Sequence, residues 1–280
     1  MTQVATHARR RPLRGLSRLV ILILGLAYLS PLLWLFVSSF KRRVDIFNPT
    51  PTLSFSPTLD NYVSSLWYGG FLNNLYNSMI VAAVSTLIAL IVGVPAAYSL
   101  ARNGDRGRLY MLALLAARML PAMVLAVPLF VIASNLGLTD TYAAVIAAHL
   151  TFSIPFTVWM MRGFFAGIPA ELHEAARLDG CSETRTFFQV ILPLAKGGLA
   201  ATAIFCVINS WNEFLFALVL TGRSTQTLPV AIPTLITPIG TSWGQIAAVG
   251  TVTVIPVAIF AFIVQKHIIS GITGGAISAE

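Results

Sequence analysis

Glu171-Leu-His-Glu-Ala-Ala-Arg-Leu-Asp-Gly180, continuing through Cys181-Ser-Glu-Thr-Arg-Thr-Phe-Phe188 to Ile191-Leu-Pro-Leu194, is a charged island between two apolar stretches. Before it, Thr141 to Met161 carries no Asp, Glu, Lys or Arg; after it, Gly197 to Leu220 carries a single Glu. About 20 apolar residues cross a bilayer, so both flanks are long enough to span and the island is where the chain returns to water. Pro169 suits a first helical turn, where its missing N–H is no loss. Glu171 and Glu174 sit near that positive helix end, and Gly180 supplies the stop. Ser182 opens a second helix, with Arg185 where a full capping box would have Glu. Pro193 leads into the next span. The island therefore encodes a helix, a sharp turn and a second helix at the membrane face. Ala175 and Ala176 are small enough for a partner surface to come close. On these residues alone the island is either a bare link between spans or a docking surface.

Composition agrees with a membrane setting. Charged residues are 10% of the chain, against about 25% in soluble domains. Hydrophobic residues are 56% and mean hydropathy is +0.81. The net charge of +8 is not gathered into a patch suited to nucleic acid; the basic residues stand at the ends of apolar segments. Cys181 and Cys206 are too few and too far apart for a disulfide framework or a Cys-rich metal motif.

Six spanning helices are expected, making an all-α polytopic fold. The apolar runs are Leu19–Phe40, 79–100 within the charge-free stretch 61–101, Leu109–Ser134, Thr141–Met161, Gly197–Leu220, and 246–265. The first run follows five arginines like a signal peptide, but it is too long for a signal core and lacks a cleavage site. Cytoplasmic Lys and Arg are favoured over external ones. With the N-terminus inside, 13 fall on the cytoplasmic side and four outside, which puts both termini and the island in the cytoplasm. Lys41-Arg42-Arg43 stands against that rule. The expected organisation is one permease-type domain over 1–280: a cytoplasmic N-terminus (1–18), an external loop of extended chain and turns (41–72), the cytoplasmic island (167–195) and a cytoplasmic tail (268–280).

The island resembles the loop by which ABC-importer permeases grip their ATPase, with Glu174-Ala175-Ala176, Asp179-Gly180 and Pro193 in register. The likeness covers nearly the whole chain. Ser38-Ser-Phe-Lys41, Asp45-Ile-Phe47, Leu59-Asp-Asn-Tyr62, Asn77-Ser78, Met119-Leu-Pro121, Pro128-Leu129, Leu136-Gly-Leu138, Trp211-Asn-Glu-Phe214 and Gly271 to Ala276 resemble the carbohydrate-uptake branch, similar to the smaller maltose permease subunit. Cys181, where a small Ala is common, and Gly197, where Pro often stands, depart from the pattern. The resemblance implies a coupling helix in the island, with ATPase docking through Glu171, Glu174, Ala175, Ala176, Asp179 and Gly180. It implies a second homologous permease, an ATPase dimer and an extracytoplasmic solute-binding protein as partners in a bacterial inner membrane. The cargo would be a carbohydrate moved by alternating access. No cofactor is expected on this chain; ATP and Mg belong to the ATPase, since no Gly-x-x-x-x-Gly-Lys-Ser/Thr phosphate loop occurs. No catalytic motif occurs either.

Ionisable groups inside a membrane usually face a cavity or a partner helix. Asn209, Trp211, Asn212 and Glu213 in the fifth span, and Ser153 in the fourth, are candidates for the translocation path. Trp with Asn and Glu could present a ring face and hydrogen bonds to a sugar; equally, Glu213 could belong to a network tying helices together. Arg118 reads as a snorkelling or paired cation and His149 as a hydrogen-bonded packing residue. Pro95, Pro121, Pro128 and Pro155 are candidate helix breaks. Two other functions stay open. One is an ABC importer for a sugar-like solute such as a polyol, a glycerophosphodiester or a sulfosugar. The other is a stand-alone secondary carrier, which calls for internal repeats and paired broken helices and leaves the island unexplained.

Overall fold

The computed structural model describes residues 11–48, 54–238 and 240–276. The first ten residues of the expected N-terminus, residues 49–53 of the external loop and the last four of the tail lie outside the described residues. In chain order the main helices are α1 (Arg11–Ser39), α2 (Phe71–Arg102), α3 (Gly104–Arg118), α4 (Ala122–Asn135), α5 (Tyr142–Ala166), α6 (Ala170–Leu178), α7 (Glu183–Leu194), α8 (Lys196–Trp211), α9 (Leu215–Leu220) and α10 (Trp243–Ala276). The fold is all-α apart from a small hairpin pairing Ile236–Thr237 with Gly240–Thr241.

Among the described residues, four helices, α1, α2, α5 and α10, are long and apolar enough to cross a membrane unbroken, and there are up to six spans if each of two bent pairs counts as one. The expected third span is one such pair. α3 and α4 meet at 85° across Met119–Pro121, because Pro121 has no N–H to donate and pushes the residue before it out of helical geometry. The expected fifth span is in pieces. α7 meets α8 at 78°, and α8 has 16 residues, about 24 Å of helix, so α9 must complete the crossing. Pro95, Pro128 and Pro155 lie inside unbroken helices; of the four candidate breaks, Pro121 alone marks one.

Other boundaries also differ from expectation. α1 begins at Arg11, inside the stretch assigned to the N-terminal segment, and α10 runs through Ala276, inside the stretch assigned to the tail. The external loop is not extended throughout. It carries a turn at Arg43–Ile46 and a helical stretch from Asp60, wider-pitched over Val63–Tyr68. The Thr58 hydroxyl accepts from the Asp60 amide (3.1 Å), which starts that helix.

The chain divides into two compact units, Met1–Gly69 with Leu235–Val252 and Gly70–Thr234 with Thr253–Glu280. In the second unit α2 packs along α5. Lipid offers helices no hydrophobic gain from pairing, so close backbone approach through small residues decides the contact. Ala89, Gly93 and Ala97 recur every four residues on α2; both alanines are fully buried, and a Cβ on Gly93 would stand 2.7 Å from the Thr157 methyl. One apolar cluster (Val94, Met111, Met161, Phe165, Phe187, Ile191) seats the island. Another (Val81, Ala126, Val145, Phe216, Leu220) seats α9.

In the first unit, Lys41 is 2% exposed, with its ammonium 4.7 Å from the Trp34 ring centroid and 5.2 Å from that of Phe55. Asn61 Nδ2 donates to the Ser39 and Lys41 carbonyls (2.9 and 2.8 Å), and the Ser39 and Tyr62 hydroxyls bond at 2.7 Å. The cation that opposes the charge rule is thus packed against aromatic rings.

Candidate docking loop and membrane-depth site

The island folds as a helical hairpin. α6 buries His173 and Ala176, three residues apart, and exposes Glu171, Leu172, Glu174, Ala175 and Leu178, the last at 90%. Ala176 therefore packs inward instead of facing a partner, since one helical turn cannot present adjacent residues on the same face; Ala175 remains outside. The helix ends as its composition dictates. Gly180 has φ +80°, its amide donates to the Arg177 carbonyl (3.0 Å), and the Cys181 amide donates to the Ala176 carbonyl (3.0 Å). This pairing closes a Schellman turn, with exposed Asp179 just before the glycine. The Ser182 hydroxyl then accepts from the Arg185 amide (3.3 Å) and starts α7.

Glu183 is the hub that sequence inspection missed. Its carboxylate meets Arg102 Nη1 at 2.7 Å, His173 Nε2 at 3.4 Å and Arg177 Nε at 3.5 Å. His173 Nδ1 bonds the Tyr98 hydroxyl (2.9 Å), to which Arg102 also donates (3.2 Å). The hydrogen bond from Arg102 holds the Glu183 carboxyl below its usual range; slight desolvation opposes this, and the charges of Arg102, His173 and Arg177 reinforce it. Both halves of the hairpin are thereby tied to the end of α2. Beside this tie lies an open cleft of about 740 Å³, lined among others by Arg102, Pro169, Glu171, His173, Glu174 and Arg177. His173 and Arg177 are near in sequence, but nothing in the local spacing of Glu183 announces Arg102, which lies 81 positions away and makes the shortest contact.

At membrane depth the polar groups form a chain. Helix α8 stops at Trp211, and Asn212 turns back to donate to the Ile208 carbonyl (2.8 Å). Glu213 then reaches over the start of α9, its carboxylate accepting from the Phe216 and Ala217 amides (2.8 and 3.0 Å). The same carboxylate lies 3.3 Å from His149 Nε2. His149 Nδ1 bonds the Ser210 hydroxyl (2.7 Å), which bonds that of Ser85 (3.2 Å). His149 is 1% exposed, the packed histidine the sequence suggested, now with its partners known.

The candidate path residues do not form one sugar site. Asn209 and Glu213 line an open groove of about 350 Å³ with Arg118, Thr151, Phe152 and Phe216. Arg118 rests over the Phe156 ring, 4.9 Å from its centroid. Trp211 is 5% exposed and lines a different, apolar groove of about 390 Å³ with Thr86, Val207, Pro256 and Phe260. Ser153 is buried, and its hydroxyl has no hydrogen-bond partner among the described residues. Successive helical residues diverge by about 100°, and the helix breaks after Trp211. Trp211 and Glu213 therefore open into different grooves.

A further polar clamp holds the segment after α9. Asp140, at φ +58°, accepts from the Gly222, Ser224 and Thr225 amides (2.8, 3.1 and 2.9 Å) and from the Thr225 hydroxyl (2.8 Å). Desolvation pushes its carboxyl up, but these donors outweigh it and hold the group well below the usual carboxylate range. Asn77 Nδ2 donates to the Ser224 and Gln226 carbonyls (3.1 and 2.9 Å), and its Oδ1 accepts from the Tyr142 hydroxyl (2.6 Å).

This arrangement, broken spans with a polar helical hairpin between them, has relatives. Over residues 85–274 the chain matches the family described as binding-protein-dependent transport system inner membrane component. The chain belongs to this family. The permease is 36% identical to a probable ABC transporter permease protein of Sinorhizobium fredii, over 98% of this chain and 99% of the relative. It is 35% identical to the arabinooligosaccharides transport system permease protein of Halalkalibacterium halodurans, over 92% of this chain and 95% of the relative. Its fold is similar to a chain in the crystal structure of a bacterial ABC transporter involved in the import of the acidic polysaccharide alginate, with a TM-score of 0.76, 24% identity, and coverage of 94% and 99%. Membership in a binding-protein-dependent family sets aside the stand-alone secondary carrier.

Proposed function

We propose that this permease is one of two unlike membrane subunits of a bacterial importer, moving a carbohydrate inward at the expense of ATP hydrolysed by a separate ATPase dimer. ATP and Mg bind that dimer, and an extracytoplasmic solute-binding protein delivers the cargo. Both termini and the α6–α7 hairpin face the cytoplasm. The observation that carries this function is the hairpin: Glu171, Glu174, Ala175 and Asp179 stand exposed around a left-handed glycine turn, beside an open cleft, in a chain of a transport family. The tie through Glu183 lets a push on α6 reach α2 directly. Closure of the ATPase shifts the permease only by as much as it prefers one state over the other, so a stiff hairpin transmits more of that preference than a loose one.

A carbohydrate cargo is supported by the relative that transports arabinooligosaccharides together with the resemblance along the chain. The test is a pull-down of the tagged permease from solubilised native membranes. An ATPase, a second permease and a binding protein encoded beside them are expected to be recovered or identified, with ATPase recovery falling at least tenfold in Glu174→Lys. Recovery of the permease alone would contradict the function. Screening the binding protein against sugars, polyols, glycerophosphodiesters and sulfosugars then separates carbohydrate from sugar-like cargo.

A further inference from the structure

We propose that Glu213 is a positioning residue that fixes the joint between α8 and α9, so that the two halves of this broken span turn as one body. The chain between Trp211 and Leu215 leaves the first amides of α9 without helical partners. Glu213 supplies both acceptors itself, one oxygen to Phe216 and the other to Ala217. In hydrocarbon there is no water to replace those bonds, so an unmet amide there is costly. The second oxygen also lies 3.3 Å from Nε2 of His149, whose Nδ1 is bonded through Ser210 on α8 to Ser85 on α2. The groups facing the carboxylate are therefore the α9 amides, the α5 imidazole and, across the open groove, Arg118, Thr151 and Asn209. Aromatic packing completes the seat: the Phe152 ring stacks on Phe216 (6.4 Å, 10°) and touches His149 (5.4 Å). A carboxylate occupied in this way sets the angle of the joint; its loss disturbs that angle before it disturbs cargo contact.

The inference rests on the transport function for its consequence, but the joint is measured without cargo. Nitroxide labels at Phe205 on α8 and Leu218 on α9, both exposed, report the joint by pulsed electron resonance in the nanodisc-embedded permease complex. Wild type is expected to give one narrow distance. Glu213→Gln, which keeps one acceptor and turns the other into a donor, is expected to broaden the distribution at least twofold. Glu213→Asp, a shorter carboxylate that still caps, is expected to restore most of the narrowness. His149→Gln leaves the carboxylate in place and is expected to broaden the distribution too, which keeps the inference testable if Glu213→Gln does not assemble. An unchanged distribution in either glutamine variant, or no recovery by Asp, would overturn it. Absence of an ATPase from the same purified complex would count against the transport function and leave this measurement intact.

Discussion

A β-carbon at position 180 would meet nothing within 4 Å, so the glycine there answers to its backbone alone. At φ +80° an ordinary L-residue is about 1–2 kcal/mol worse, and a β-branched one is worse still. Gly180→Val is expected to lower ATPase co-purification about 5- to 30-fold, the factor that 1–2 kcal/mol carries. Gly180→Asn, which tolerates left-handed geometry, should stay much closer to wild type. Gly222 is the opposite case: its missing side chain makes room, since a Cβ would stand 2.7 Å from the Asp140 carboxylate. Asp140→Asn would aim an amide donor at backbone donors and lose about 1–3 kcal/mol, which limited proteolysis of the 221–228 segment in detergent should show as faster cleavage. The pH dependence has a definite sign. Asp140 titrates lower in the folded chain than in the unfolded one, so its stabilisation is full above the ordinary carboxylate pKa of about 3.9 and fades only as pH falls through the lower folded value. Cleavage of wild type should accordingly be flat from pH 8 to pH 5.

At the scale of elements, the hairpin and the broken spans differ in how far the sequence reveals them. Gly180 and Ser182 each carry a local rule and the hairpin forms as those rules say, whereas Pro169 stands just ahead of α6 with extended backbone instead of in its first turn. The break before α4 was legible from Pro121, whereas the break after Trp211 has no proline or glycine at all. It is held open by Glu213 acting on amides three and four residues ahead, and by a histidine 64 positions back. Glu183 was missed for the same reason, as its shortest partner, Arg102, arrives from α2. An exposed ion pair adds little in water, and Arg102 and Glu183 are 39% and 52% exposed. The force of the tie must therefore lie in the network with buried His173. Glu183→Arg is expected to lower the ratio of transport to ATP hydrolysis, and adding Arg102→Glu to restore part of it; failure of the swap to restore anything would argue that Glu183 acts otherwise. Gly93→Val should force α2 away from α5, with overpacking of about 1–3 kcal/mol seen as a lower melting temperature in detergent.

For the whole molecule, the charge pattern along the chain is what supports the proposed orientation. A cysteine placed at Arg223 should then react with an impermeant thiol reagent from outside intact cells, and one at Leu178 only after the membrane is opened. If the hairpin meets an ATPase, Leu178 should report it, being the hairpin's most exposed large hydrophobic side chain, at 90%. The most direct measurement is photo-crosslinking in native membranes with benzoylphenylalanine in place of Leu178, with adducts identified by mass spectrometry. An adduct with an ATPase subunit is expected, lost when Glu174→Lys is added. Adducts with lipid alone, in cells whose uptake is intact, would contradict it.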